Sequence, residues 1–373
     1  MGGATIYDLA RAAGLSPSTV SRALRGYPSV NTATAGRVHE LAASLGYRPN
    51  AVARSLAVRS SNLLAVVLPD IANPFFPLLV REVQTRARAA GYMVLLCNTG
   101  DDPETELQTL EMLARQRIDG VIAIGLTGIG YDLSTFLATP MKFVSLDRSS
   151  DGVPWAVVQA DHCAGARMAT EHLIAFGHRQ IACVSGPPRI LSAEDRTRGY
   201  RQALAASGIV PDQGLIREGD FSEESGYRAT DGLLSDGASF SAIFAANDLM
   251  ALGAISALQA HGMSIPSDVS VVGFDDIYLG RFASPSLTTV HQPLEELAKA
   301  AVDQLISSIR GDRMVDSPVM LPVSLVTRES TGPVAVGRSR SNQRPHPRRG
   351  NTTDINAAPA KMPGRQSTVR PIR

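Results

Sequence analysis

Between residues 62 and 330, short apolar runs alternate with segments of helical periodicity, and no other feature narrows the fold as far. The runs are Leu63–Leu68, Tyr92–Cys97, Gly120–Leu126, Phe143–Leu146, Val157–Val158, Ile181–Val184, Ala242–Ala246 and Val269–Phe274. Helical patterns stand between many of them, as at Thr105–Arg115, Ala164–Phe176 and Leu249–His261. Continuously apolar strands are covered on both faces, and strands separated by helices pair in parallel. The number of runs suits two such sheets. All are strand-sized, too short to cross a membrane. Many end in a polar group: Asp70 and Asn73, Asn98, Asp147, Asp161, Asp220, Asn247, Asp275. Open α/β sheets bind ligands outside the carboxyl ends of their strands, so these are candidate site residues.

The first 48 residues read as three short helices. Ile6, Leu9, Ala10 and Ala13 form one apolar stripe, with Thr5 and Asp8 spaced as a capping box and Gly14 as the stop. Ser16-Pro17 restarts a helix striped by Val20, Ala23 and Leu24 and stopped by Gly26. Asn31 is placed to cap a third, striped by Val38, Leu41, Ala42 and Leu45 and stopped by Gly46. Helix, short glycine turn, helix is the helix-turn-helix pattern. Pro49 then breaks the chain, and Asn50 can cap one further helix from Ala51 to about Ala57. A helix of under two turns is marginal alone in water.

Charge divides the 373 residues unevenly. Residues 1–60 hold seven Lys/Arg against two Asp/Glu, and residues 334–373 hold nine against one. The intervening body is left with a net charge of −12. Basic ends on an acidic body suit a polyanion, since Lys and Arg against phosphate supply non-specific nucleic-acid affinity. The last forty residues, rich in Arg, Pro, Ser, Gly and Asn, read as a disordered basic tail. Three widely spaced cysteines (Cys97, Cys163, Cys183) argue against a disulfide framework and a Cys₄ zinc site. No basic n-region precedes an apolar core at the start, so a cytoplasmic protein is expected. No P-loop, G-x-G-x-x-G, H-E-x-x-H or G-x-S-x-G is present. Gly125, Gly128 and Gly130 have the wrong order for a dinucleotide loop, and Glu171, His172 and His178 lack a ligand spacing. No enzyme, metal site or cofactor is expected.

TIYDLARAAGLSPSTVSRAL and LGYRPNAVARSL, within Ala4–Ala57, resemble the DNA-binding head of the LacI/GalR family of transcription factors. The resemblance continues through PDIANPFF (69–76), RIDGVI (117–122), GDFSEESGY (219–227), FAANDLMALGA (244–254), SVVGFDD (270–276) and PSLTTVHQP (285–293). It implies an all-α helix-turn-helix head on a periplasmic-binding-protein-like α/β body of two doubly wound parallel-sheet subdomains. The expected divisions are a head at 1–48, a hinge at 49–60, an effector-binding and dimerisation domain at 61–333, and the tail. The subdomains would run over about 62–162 plus 291–322, and 163–290 plus 323–333.

The second helix would enter the major groove, and the resemblance gives base choice to Pro17, Ser18 and Arg22. Arg22 can bond guanine O6 and N7 together. Thr5, Thr19, Ser21, Asn31 and Thr32 are short polar groups suited to phosphate, joined by Tyr7 and Tyr47. Packing against the small core is an equal reading of Tyr47. Asn50, Ala53, Arg54 and Leu56 resemble the family's hinge helix, with Leu56 as a minor-groove wedge. For the effector, the polar and aromatic candidates are Asn73, Phe75, Phe76, Asp147, Arg148 and Asp161. From the other subdomain come Ser192, Arg196, Phe221, Asn247 and Asp275. Asn247 and Asp275 can each take two hydroxyls. Asp248 is expected to cap the helix after it. Asp161 has capping as an equal reading, and Phe76 and Phe221 have a place in the core. Ile190 stands where purine-responsive members carry arginine, which favours a sugar or polyol. The resulting expectation is a homodimer, tetramer left open, that regulates transcription from a palindromic DNA operator. The rival is a cytoplasmic solute-binding protein without operator function, which leaves Thr5–Leu56 unexplained.

Overall fold

The computed structural model describes residues 4–48, 60–125, 139–147, 155–312 and 318–334. The hinge candidates Asn50, Ala53, Arg54 and Leu56, the cleft candidate Arg148 and the basic tail lie outside the described residues.

Local capping sets the head. In α1 (Ile6–Ala13), Asp8 N–H donates to the Thr5 hydroxyl and Thr5 N–H donates to the Asp8 carboxylate, a closed capping box. Gly14 ends the helix at φ 66°, the left-handed region that disfavours a side chain. Ser16 caps α2 (Pro17–Leu24), and Asn31 caps α3 (Thr32–Ser44) through a 2.7 Å bond from Thr34 N–H. Leu9, Ala10, Ala13, Val20, Ala23, Val38 and Ala42 form the core between them. Leu45 does not continue the third stripe. The buried face of α3 ends at Ala42, and Leu45 is 42% exposed.

The body holds two six-stranded sheets. The first is built of β1 (Leu63–Leu68), β2 (Met93–Asn98), β3 (Gly120–Ile124), β4 (Lys142–Leu146), β5 (Ala156–Ala160) and β11 (Val319–Leu321). Its order is β11-β5-β4-β3-β1-β2. The second is built of β6 (Ile181–Ser185), β7 (Ile216–Glu218), β8 (Ala242–Ala245), β9 (Ser270–Asp275), β10 (Thr288–His291) and β12 (Ser324–Val326), in the order β12-β10-β9-β8-β6-β7. Every pairing is parallel except β10 with β12.

Between the strands run α4 (Phe75–Ala89), α5 (Pro103–Arg115), α6 (His162–Ala175), α7 (Leu191–Ala206), α8 (Glu223–Ser235), α9 (Asp248–Ala260), α10 (Tyr278–Phe282) and α11 (Leu294–Arg310). The strand period of two divides each sheet's side chains between two layers. Leu64, Val66 and Leu68 meet α4 and α11, while Ala65 and Val67 meet α5. In the second sheet α6 and α7 cover one face, α8 and α9 the other. The strand β2 departs from the fully buried expectation. It is an edge, with Met93 and Leu95 exposed. The strands β7, β10, β11 and β12 are of three or four residues, too short to show periodicity.

The chain passes between the sheets at β5–α6, β10–α11 and β11–β12. It joins the body at the amino ends of the first sheet's strands. There the Asp119 carboxylate, just before β3, accepts from Ser60 Oγ, Ser61 N–H and Asn62 N–H at 2.5–2.9 Å.

Candidate functional sites

On the head, α2 buries Val20 and Ala23, so Ser18, Arg22 and Arg25 share its exposed side. Pro17 and Ser21 are half-buried beside them. Arg25 was not among the sequence candidates, although it follows Ser18 and Arg22 at helical spacing. The phosphate candidates divide. Thr5 and Asn31 are caps, and Thr19 joins Ser16 through a 2.8 Å hydroxyl bond. Thr32 and Tyr7 are exposed, Tyr7 by 69%. Tyr47 packs partly into the head core.

The strongest polar cluster of the described residues lies where the carboxyl ends of the two sheets meet. Asp147 follows β4 at φ 67° and is buried. Across from it, Arg196 of α7 is also buried. Its guanidinium donates to Ala246 O at 2.5 Å, lies 3.3 Å from Asp275 Oδ1 and stacks 3.9 Å over the Phe274 ring. It also meets His162 Nδ1 at 3.3–3.4 Å. A guanidinium has only donors, so Nδ1 accepts and the ring proton sits on Nε2. Nε2 then donates to Asp147 O at 3.0 Å and lies 3.3 Å from Asp147 Oδ1. Gln292 Nε2 donates to Asp275 Oδ1 at 2.8 Å. A polar chain thus runs from Asp147 in the first lobe to Asp275 and Gln292 in the second. At the mouth, Arg189 and Asp101 pair across the lobes at 3.1 Å.

His162 and Gln292 are the residues sequence reasoning missed. His162 stood beside the candidate Asp161, and Gln292 lay inside PSLTTVHQP. Burial lifts the Asp275 carboxyl from 3.8 to about 6, against the pull of Arg196 and with the charge of Asp147 adding to the rise. Its neighbour Asp276 goes the other way. Burial pushes it up, but hydrogen bonds from His291 and Arg328 outweigh this and hold it low.

Other candidates take narrower roles. Asn247, not Asp248, caps α9: its Oδ1 accepts from Met250 N–H, and its Nδ2 donates to Phe221 O. One lone pair and one proton remain, so Asn247 offers one acceptor and one donor rather than two free positions. Asp248 is turned inward instead. Its carboxylate accepts from Ile277 N–H at 2.8 Å and from the Thr289 hydroxyl at 2.5 Å, and burial holds its pKa well up. Gly273 makes room, since a Cβ there would meet Asp248 Oδ1 at 2.2 Å. Asp161 caps α6 through Ala164 N–H. Asn73 accepts from Phe75 N–H, and Phe75 and Phe76 stand edge-to-face inside the first core. Phe221 is half-buried at φ 69° with its ring over Gly186, and Ser192 is buried near the start of α7. Among the described residues, no cluster of three His, Cys, Asp or Glu could hold a metal.

A family model for "Bacterial regulatory proteins, lacI family" matches residues 5–50, and one for a "Periplasmic binding protein-like domain" matches residues 170–331. The chain is 36% identical over 337 residues to the HTH-type transcriptional regulator DegA of Bacillus subtilis, covering 88% of this chain and 98% of DegA. It is 37% identical over 330 residues to the ribose operon repressor of Halalkalibacterium halodurans, covering 88% and 97%. A solved Lac repressor dimer bound to operator and the anti-inducer ONPF aligns over 89% of this chain and 100% of that one, at TM-score 0.79 and 34% identity.

Proposed function

The chain belongs to the LacI family of bacterial regulatory proteins, and from that premise we propose how its two sites work together. It is a transcriptional repressor that reads a palindromic operator as a homodimer and changes its grip when a sugar or polyol enters between the lobes. It acts by binding, in the cytoplasm, without turnover. The observation that carries this reading is the buried chain Asp147–His162–Arg196–Asp275, which spans both lobes of a body that carries a helix-turn-helix head. Carboxylates, a guanidinium and the remaining valences of Asn247 suit paired hydroxyls, and sugar sites need such groups. Arg22, Ser18 and Pro17 read bases. Thr5, Tyr7, Thr19, Ser21, Asn31, Thr32 and Tyr47 orient the head on phosphate, with the helix N-termini adding their N–H groups.

The coupling follows from the chain path. Because Ser60–Asn62 are clamped to Asp119, the hinge starts from a point fixed to the first lobe. A ligand that breaks into the polar chain alters the angle between lobes, and with it the spacing of two such points in a dimer. The change required is about 1–3 kcal/mol, the scale of one short helix forming or melting. Exposed Met93, Leu95, Tyr278 and Phe282 give a second copy apolar surface to cover. The ribose operon relative and the operator-bound Lac repressor dimer support the same reading.

The test is selection of genomic DNA fragments by the purified protein, repeated with ribose, other sugars and purines. Enrichment of one palindrome, lost or gained with a sugar, is expected. A protein that binds a sugar yet enriches no palindrome under any condition is a solute-binding protein, and the repressor reading fails.

A further inference from the structure

We propose that the basic C-terminal segment is a second DNA-binding element, one that holds a duplex other than the operator under the heads. The inference rests on the repressor reading and adds a partner at the far end of the molecule. Its basis is where the two ends of the body lie. The chain from the head joins at Asp119, at the amino ends of β1–β4. It leaves at Gly332–Val334, at the amino ends of the second sheet. There Gly332 N–H donates to Ser270 Oγ at the start of β9, His178 Nε2 lies 3.0 Å from Gly332 O, and Val334 N–H donates to Phe176 O.

The carboxyl ends face each other, since Asp147–His162–Arg196 and Asp101–Arg189 join them. The two amino ends therefore face opposite ways. Two six-residue strands such as β1 and β9 in series already put about 40 Å between the points of joining and leaving. The head and its operator lie beyond the first point.

Residues 335–373 carry nine Lys/Arg and one Asp. Charge acts over about a Debye length, ~8 Å at physiological salt. A segment anchored at the far pole neutralises phosphate there rather than at the operator. The segment contains no Phe, Tyr or Trp. Recognition of unpaired RNA bases stacks them on such rings, whereas duplex phosphate needs only cations. A dimer offers two such segments, both away from the heads.

The experiment is a bridging capture with the full-length chain. The palindromic operator is immobilised and saturated with protein, and a labelled duplex lacking the palindrome is added. It is repeated with Arg338, Arg340, Arg344, Arg348 and Arg349 all changed to Gln, which leaves the folded residues intact. The parent should retain the labelled duplex at 0.1 M salt and lose it steeply as salt rises. The variant should retain at least ~10-fold less, with its operator occupancy unchanged. Equal capture by both overturns the proposal. So does a variant that loses operator affinity instead, which would mean the segment lies on the operator duplex. Displacement of the labelled duplex by single-stranded RNA well below the concentration of competing duplex also overturns it. If no palindrome exists to immobilise, it is the repressor reading that has failed.

Discussion

Replacing Asp275 by asparagine removes a charge and almost no volume, and two arguments give its effect opposite signs. Counted as half of an ion pair with Arg196 at 3.3 Å, the change strands a buried guanidinium, a loss of about 3–5 kcal/mol. The proton equilibrium of Asp275 instead weighs every interaction of the carboxylate at once, burial included. It lies at about 6 rather than 3.8. A carboxyl whose native pKa exceeds its unfolded value binds its proton more tightly when folded, so its ionised form opposes folding. That opposition is absent below about pH 3.8, grows as pH rises toward 6 and is complete above it. At ~1.4 kcal/mol per unit, the rise of roughly two units amounts to about 3 kcal/mol at pH 7.5. Asparagine stands in for the protonated acid and keeps an oxygen for Gln292. Arg196 keeps Ala246 O and the Phe274 face. The Asp275→Asn variant should therefore be more stable than the parent at pH 7.5 by about 1–3 kcal/mol. A shift of ~2–4 °C per kcal/mol puts its Tm up by ~2–10 °C, and the gap should close as pH falls to about 4. Effector affinity should fall ~100-fold or more, because hydrogen bonds to a charged acceptor are worth about 1.5–3 kcal/mol each. Thermal unfolding at pH 7.5 and 4.5, with calorimetric titration of the operator-releasing sugar, measures all three. A variant less stable than the parent at pH 7.5 refutes the reasoning and returns the ion pair to first place.

Arg22→Ala should relax base choice at one position per half-site by about 1–3 kcal/mol, read as fragment selection with the variant; an unchanged enriched palindrome would show that Arg22 touches phosphate only. Leu9→Ala empties a fully buried site in the small head core, at a cost of about 2.7–5 kcal/mol. A domain this small has only ~3–5 kcal/mol in hand. Operator binding should vanish while sugar binding by the body stays within twofold, measured by anisotropy and calorimetry on one preparation. Gly253→Ala places a Cβ 2.0 Å from Glu223 O, where α8 and α9 touch backbone to backbone. Urea unfolding should show the body weakened by at least ~1–3 kcal/mol, and a neutral result would mean the two helices separate freely.

Much of this molecule was legible where local chemistry decides. The caps at Thr5, Ser16 and Asn31 are settled within three residues, and the structure shows each of them. Continuous apolar runs located the strands because burial on both faces leaves no alternation to confuse. What escaped was set by distant neighbours. Asp248 looks like a helix cap in sequence, because Asp and Asn are equivalent N-caps and only one position separates Asp248 from Asn247. What assigns the two is Thr289 and Ile277, which draw the Asp248 carboxylate inward while Asn247 keeps the helix.

His162 escaped for the same reason. Alone it is an ordinary histidine after a capping aspartate. It matters only because Arg196, 34 residues on, fixes its Nδ1 as an acceptor and turns its Nε2–H toward the first lobe. That arrangement leaves His162 no spare donor while the lobes are joined. A hydroxyl that replaces Arg196 at Nδ1, or Asp147 at Nε2, must therefore break a bond between lobes as it forms its own. The residue hardest to read from sequence is thus the one at which occupancy of the cleft and the angle between lobes are a single event.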